Sequence, residues 1–210
     1  MKKALIFDLD GTLWDACDAM TVSWTEALRA FSCKTPAVTR KMAADVMGMT
    51  NDAIARRFCP ELDDAQRQQF IEQASSAHIR LVQQGCGQIF PGVTDTLRRL
   101  ADDYFLAIVS NCTDGYIDAF LTYPGLDRLF SDYEYLRTGK PKSDNIRLVM
   151  ERNRLTDALY IGDTMLDYEA AHIAGIPFLH AAYGFGHVPE GTPFLRSIRE
   201  LPQAAATLLP

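Results

Sequence analysis

Residues 4–7, Ala4-Leu5-Ile6-Phe7, form an unbroken apolar run that ends abruptly in Asp8-Leu9-Asp10-Gly11-Thr12. A short apolar run bounded by a glycine turn predicts a fully buried strand of a parallel sheet. In open α/β sheets, ligands bind beyond the carboxyl ends of such strands. Asp8 is therefore expected at the lip of a site, and Asp10, two residues on, can face the same site. Two carboxylates that close repel each other unless a cation or a shared proton relieves them. Mg²⁺, a hard cation that prefers oxygen ligands, suits that place. The competing reading makes Asp8 and Asp10 ordinary turn residues at a helix start.

The rest of the chain decides between these readings. From about residue 15 to 88 the pattern is helical throughout, with no strand expected. Residues 18–31 carry a stripe of Met20, Trp24, Ala27, Leu28 and Phe31. Thr35-Pro36 is expected to open a second helix running toward Met47, because Pro suits a first helical turn. Thr50 or Asn51 caps a third, and residues 63–82 form a long polar helix closed by Gly85 and Gly87. From about residue 89 the pattern alternates. Apolar strands are expected at 105–109, 133–136, 158–161 and 177–182, with helices between them, one of them capped by Ser143 or Asp144. A short docked helix covers 201–210. Strands alternating with helices imply a parallel sheet in an α/β fold.

Charge and cysteine usage narrow the partners. The net charge is −6 and no Lys/Arg run stands out, which disfavours nucleic acid and anionic membranes. No apolar run reaches the roughly 18 residues of a membrane span, and Met1-Lys2-Lys3 leads directly into a strand with no secretory h-region. Cys17, Cys33, Cys59, Cys86 and Cys112 are scattered, with no C-x-x-C pair. That pattern argues for reduced thiols and a cytoplasmic location.

Three predicted strands end in polar residues: Asp8 and Asp10, Ser110-Asn111, and Asp163. A Lys140-Pro141 loop lies between the last two. Parallel strands put their carboxyl ends on one edge, so these residues converge although they span most of the chain. Each has a plainer reading alone: Ser110 as a helix cap, Lys140 as a solvated loop lysine, Asp167 as a surface carboxylate.

Together these segments resemble the haloacid-dehalogenase-like hydrolase superfamily, in its phosphoglycolate-phosphatase-like branch. Four segments carry the resemblance: Asp8-Leu9-Asp10-Gly11-Thr12, Ser110-Asn111, Lys140-Pro141, and Gly162-Asp163-Thr164 with Asp167. The resemblance implies a Rossmann-like core with strand order 5-4-1-2-3 and an inserted, small, all-helical cap. The core would comprise residues 1–14 and 89–210, and the cap residues 15–88. The implied function is a Mg²⁺-dependent phosphatase acting on a small phosphorylated metabolite through an aspartyl-phosphate. Asp8 resembles the nucleophile and Asp10 the general acid, then base. Thr12, Ser110, Asn111 and Lys140 are expected to bind the phosphoryl group. Asp8, the main-chain carbonyl of Asp10, and Asp163 would hold the metal, with Asp167 ordering its shell.

Other functions weighed are a sugar phosphomutase, a dehalogenase, a phosphonatase with a cap lysine, and a non-catalytic phosphoryl-ligand binder. Met20 stands where mutases of this superfamily carry a histidine, and Gly48-Met49-Thr50-Asn51 where they favour an arginine. Asp10 disfavours a dehalogenase, which does not need that acid. Lys34 or Lys41 alone leaves the phosphonatase open. Trp14 is expected to pack at the hinge into the cap, and Cys112 to be a buried thiol. His187 is expected on a surface loop, and Lys41, Arg56 and Arg57 on solvated helical faces. His78, His172 and His180 carry no readable signal.

Overall fold

A computed structural model describes residues 3–126, 128–136 and 139–209. Met1, Lys2 and Pro210, which fall in the expected core, lie outside the described residues. The apolar run at the N-terminus becomes β1 (Lys3–Phe7), buried on both faces. Its side chains alternate between two apolar clusters. Leu5 and Phe7 join one, with Leu106, Ile108, Leu159 and Ile161. Ala4 and Ile6 join the other, with Ala107, Val109, Ala158 and Tyr160. A period of two that is apolar at every position is what a sheet covered on both sides requires.

After β1 the chain enters β2 (Trp14–Asp15) and then α1 (Cys17–Ala30), α2 (Arg40–Ala44), α3 (Asn51–Phe58) and α4 (Asp64–Gln83). β3 (Gln88–Ile89) returns antiparallel to β2, pairing Trp14 with Ile89 and Asp15 with Gln88. The two crossings into and out of the helical insertion are thus zipped together, where no strand was expected. The insertion has its own apolar cluster, built on Met20, Trp24, Leu28, Phe58 and Phe70. Asp63 opens α4 with a reciprocal capping box to Gln66, which satisfies two orphan donors at the helix start. Thr50 caps α3.

The expected helix from Thr35 to Met47 is a correction. The described helix is only Arg40–Ala44, and its cap is Thr39, whose hydroxyl accepts from the Met42 amide. Thr35 instead donates to the Phe58 carbonyl, and that tertiary bond outweighs the local preference of Pro36 for a helix start.

The second half alternates as expected: α5 (Val93–Ala101), β4 (Tyr104–Val109), α6 (Tyr116–Leu121), β5 (Asp132–Glu134), α7 (Lys142–Arg152), β6 (Ala158–Gly162), α8 (Met165–Ala174) and β7 (Phe178–Ala181). β8 (Phe194–Leu195) and α9 (Leu201–Leu208) follow. The sheet order is β5-β4-β1-β6-β7-β8, all parallel. Counted along the five long-expected strands this is 3-2-1-4-5, the anticipated 5-4-1-2-3 taken from the other edge, and β8 is an unforeseen sixth. β1 sits at the centre, where the order reverses, so its carboxyl end opens into the crevice. α7 also starts earlier than anticipated. Pro141, not Ser143 or Asp144, precedes its first residue, Lys142.

Candidate active site

Asp8 leaves the end of β1 with its amide bonded to the Ile161 carbonyl at 2.8 Å. Asp163 leaves the end of β6, and Asp167 lies in the first turn of α8. One carboxylate oxygen from each of the three lies within 4.8 Å of the others, and all three residues are buried. Lys142, also buried, donates to Asp8 Oδ1 at 2.9 Å and to Asp167 Oδ1 at 2.7 Å. Burial opposes its charge, but Asp167 and Asp8 hold the ammonium well above its ordinary range.

This is the main correction to the expected site. Lys140 is exposed, while Lys142 reaches Asp8. Pro141 holds an extended backbone just ahead of the helix (φ −57°, ψ 154°). The first residue of α7, rather than the loop residue before Pro141, therefore points at the sheet edge.

The remaining oxygens show what is missing. Asp167 is fully engaged. Its Oδ2 accepts from the Thr164 amide at 3.0 Å and the Thr164 hydroxyl at 2.7 Å, within the capping box that starts α8. Asp163 Oδ2 accepts from the amides of Phe185 at 2.8 Å and Gly186 at 3.3 Å. Asp8 Oδ2 and Asp163 Oδ1 are buried with no partner. Orphaned buried carboxylate oxygens are costly, and burial and neighbouring charge raise both groups' pKa. Asp8 is pushed up to about 6 by burial and by Asp167, against the pull of Lys142. Asp163 is raised by burial, then by Asp167 and Asp8. Three carboxylates around one ammonium fit a hard divalent cation with oxygen ligands. Asp8 and Asp163 are the groups with an oxygen to offer it. Gly11 makes room, since its φ is +81° and a Cβ there would collide with the Asp163 carboxylate.

Asp10 faces the other way. Its Oδ1 accepts from the Tyr116 hydroxyl at 2.8 Å and from Trp14 Nε1 at 3.0 Å. Burial pushes its carboxyl up to about 7, against the Tyr116 hydrogen bond and with help from the Asp8 charge. Such a group can hold a proton near neutral pH and release it. Trp14 therefore does more than pack at the crossing. It lies edge-on to Tyr116, Phe120 and Tyr123 and also orients Asp10.

Asp8 and Asp10 border a cavity of about 50 Å³ beneath the helical insertion, with Ser110, Asn111 and Cys112 on the same floor. Asn111 donates to the Gly48 carbonyl at 2.9 Å and so ties the sheet edge to the insertion. Thr12 is fully buried, with its hydroxyl partnerless, and is not among the residues lining this cavity. Cys112 is buried, and burial pushes its thiol up. His187, Lys41, Arg56 and Arg57 are exposed. Lys41 pairs with Asp45 and Arg56 with Asp52.

Lys142, Tyr116 and His78 went unread in the sequence. Lys142 had a usable signal, its place as the first helical residue after a proline. The other two lie in amphipathic helices, where a site residue has no mark of its own.

A family model described as haloacid dehalogenase-like hydrolase matches residues 5–181. The chain belongs to that family. A phosphoglycolate phosphatase of Vibrio vulnificus is 29% identical over 198 residues, covering 88% of this chain and 86% of that one. The crystal structure of a predicted phosphoglycolate phosphatase from Haemophilus somnus superposes with a TM-score of 0.84 at 24% identity, over 97% of this chain and 98% of that one. A haloacid dehalogenase-like family protein of Streptococcus pneumoniae gives 0.82 at 22%, over 97% and 98%. Among the described residues no helix is long and apolar enough to cross a membrane.

Proposed function

We propose that this hydrolase is a Mg²⁺-dependent phosphatase that cleaves small phosphate monoesters through a phosphorylated Asp8. One observation carries the reading. Asp8 stands between a charged cluster with two orphaned carboxylate oxygens and a cavity whose other acid, Asp10, can hold a transferable proton. The relatives named as phosphatases support the reaction class.

Asp8, Asp163 and the Asp10 carbonyl would hold a Mg²⁺ ion, which when bound would supply positive charge to offset the repulsion between a dianionic phosphoryl group and a carboxylate. This chain's residues do the rest. An Asp8 oxygen attacks phosphorus, and the bond to the ester oxygen breaks. Asp10 gives its proton to the departing alkoxide. Lys142 balances charge beside Asp8, and Asp167, which takes Lys142 on Oδ1, acts by positioning it. Ser110 and Asn111 offer donors to the phosphoryl oxygens from the end of β4. Asp10, now ionised, takes a proton from water. The water oxygen bonds to phosphorus, and Asp8 and inorganic phosphate are released. The helical insertion is the cap that covers this exchange and excludes bulk water.

Phosphate release from acetyl phosphate tests this reading, with intact mass measured in parallel. Turnover should require Mg²⁺ and vanish in excess chelator. Asp8→Asn should lose turnover and the added mass of one phosphoryl group together. Full activity in chelator, or a phosphoryl label on another residue, would overturn it.

A further inference from the structure

The carboxylate of Asp10 is held at one oxygen only. The hydrogen bonds it makes among the described residues both fall on Oδ1, from the Tyr116 hydroxyl at 2.8 Å and from Trp14 Nε1 at 3.0 Å. Oδ2 makes none, and it is not one of the sealed oxygens that lack a partner, so it keeps access to open space. The open space that Asp10 borders is the cavity under the insertion, which Asp8, Ser110 and Tyr116 border too. An indole N–H can only donate, and in a neutral carboxyl the carbonyl oxygen is the better acceptor. The proton of Asp10 therefore belongs on Oδ2.

The two donors on Oδ1 differ in what they fix. Trp14 lies four residues from Asp10 in the same stretch of chain, so its bond orients the acid only within that stretch. Tyr116 lies 106 residues away. It is the first residue of α6, in the segment that follows Ser110 and Asn111 at the end of β4. Its hydroxyl thus ties the acid to the strand end that offers donors to the phosphoryl group. The Tyr116 ring is itself buried, edge-on to Trp14 with centroids 5.4 Å apart and against His78 of α4 at 5.1 Å. Rings from the crossing and from the insertion therefore hold the hydroxyl in place.

We propose that Tyr116 is the positioning residue for the proton donor: its hydroxyl, together with Trp14, confines the transferable proton of Asp10 to Oδ2 and holds that oxygen in register with the phosphoryl-binding strand end. This rests on the phosphatase reading above and deepens it. In the first step the Oδ2–H bond breaks, the proton passes to the leaving alkoxide oxygen, and the electron pair stays on Asp10. Oδ1 keeps both hydrogen bonds throughout, so the carboxylate left behind is already solvated by fixed donors. In the second step Oδ2 takes a proton from the attacking water, in the same orientation.

The test is Tyr116→Phe, which removes one hydroxyl and keeps the ring against Trp14 and His78. With Mg²⁺, its kcat/KM for n-propyl phosphate should fall about 10-fold or more, part of the 10²- to 10⁴-fold that a positioned acid supplies. Its kcat/KM for acetyl phosphate, whose leaving group needs little protonation, should stay within about 3-fold. Dephosphorylation also uses Asp10, so kcat and KM for acetyl phosphate should fall together. Phosphorylated Asp8 should build up above the wild-type level, read by intact mass. In an Asp10→Asn background the same change should cost less than about 2-fold on n-propyl phosphate, because a residue that acts through Asp10 has no proton left to place. Equal losses on both substrates reduce Tyr116 to a structural residue and overturn the proposal. An unchanged rate on n-propyl phosphate, or an undiminished loss in the Asp10→Asn background, also overturns it. If the wild type turns over acetyl phosphate alone, the build-up of phosphorylated Asp8 decides. If the wild type turns over neither compound, the phosphatase reading itself fails.

Discussion

The two sides of Asp8 are made of opposite materials. Below it, the sheet edge gathers two further carboxylates and a lysine, all buried, with two oxygens left without a partner. Above it, the insertion offers methionines, a tryptophan and neutral polar groups. The lower side is electrostatic, and its carboxylate oxygens suit a hard cation. The upper side is mostly apolar. Among the described residues the roof adds no lysine or arginine to the charge balance around Asp8. Asp10 stands at the boundary, and burial, more than its acidic neighbour Asp8, raises its pKa.

The sharpest way to test this division is at Asp10. Asp10→Asn keeps the shape and the main-chain carbonyl but loses the transferable proton. Turnover of an unactivated ester should fall about 10²- to 10⁴-fold. The loss in the first step should shrink with acetyl phosphate, and phosphorylated Asp8 should then accumulate, visible by intact mass. In the wild type, kcat/KM for an alkyl phosphate should decline as pH rises past about 7, where Asp10 loses its proton. A normal rate in Asp10→Asn would remove the boundary role.

The second test asks which lysine serves the lower side. Lys142→Met should lower kcat/KM by about 10²- to 10³-fold, the scale for removing one charge-stabilising donor. It should also lower the melting temperature of the metal-free protein, because three buried carboxylates would share no ammonium. Lys140→Ala should leave the rate within about 2-fold, as expected of an exposed side chain. The reverse ranking would restore the sequence-based assignment.

The smallest expected effect is thermodynamic. Asp8, Asp10 and Asp163 all have pKa values raised by burial. Between about pH 4 and 7 these carboxyls hold protons in the folded chain that they have lost in the unfolded one, so their contribution to stability falls as pH rises through that window. Melting in chelator should occur lower at pH 7.5 than at pH 5, by on the order of 5 °C. Mg²⁺ should narrow the gap, because it binds the ionised native state. A higher melting temperature at pH 7.5 in chelator would show that these carboxylates do not carry the burden assigned to them.

Legibility followed the same boundary. The lower side was largely written in the sequence. Apolar runs ending in Asp8, Ser110 and Asp163 fix where strands end, and parallel strands bring their ends together. The clearest departures there were Thr12, which does not line the cavity, and Lys140 for Lys142, which came from a tempting Lys-Pro pair whose orientation depends on where α7 begins. The upper side was not legible. Trp24 was visible only as part of a helical stripe, Met20 as part of it and as the place where mutases carry a histidine, and His78 as an unremarkable polar residue on a long helix. Which of them meets Asp10 depends on how α1 and α4 sit over the sheet.

The sequence by itself determined the fold class, the central place of β1 and the acids at its end, because strand burial and chain direction are local properties of a short run. Only the tertiary structure decided which lysine is buried, that the crossings into the insertion pair as β2 and β3, and that His78 packs against Tyr116 at the cavity. Those depend on contacts between residues far apart in the chain, such as Lys142 with Asp8 and His78 with Tyr116. No local pattern records such contacts.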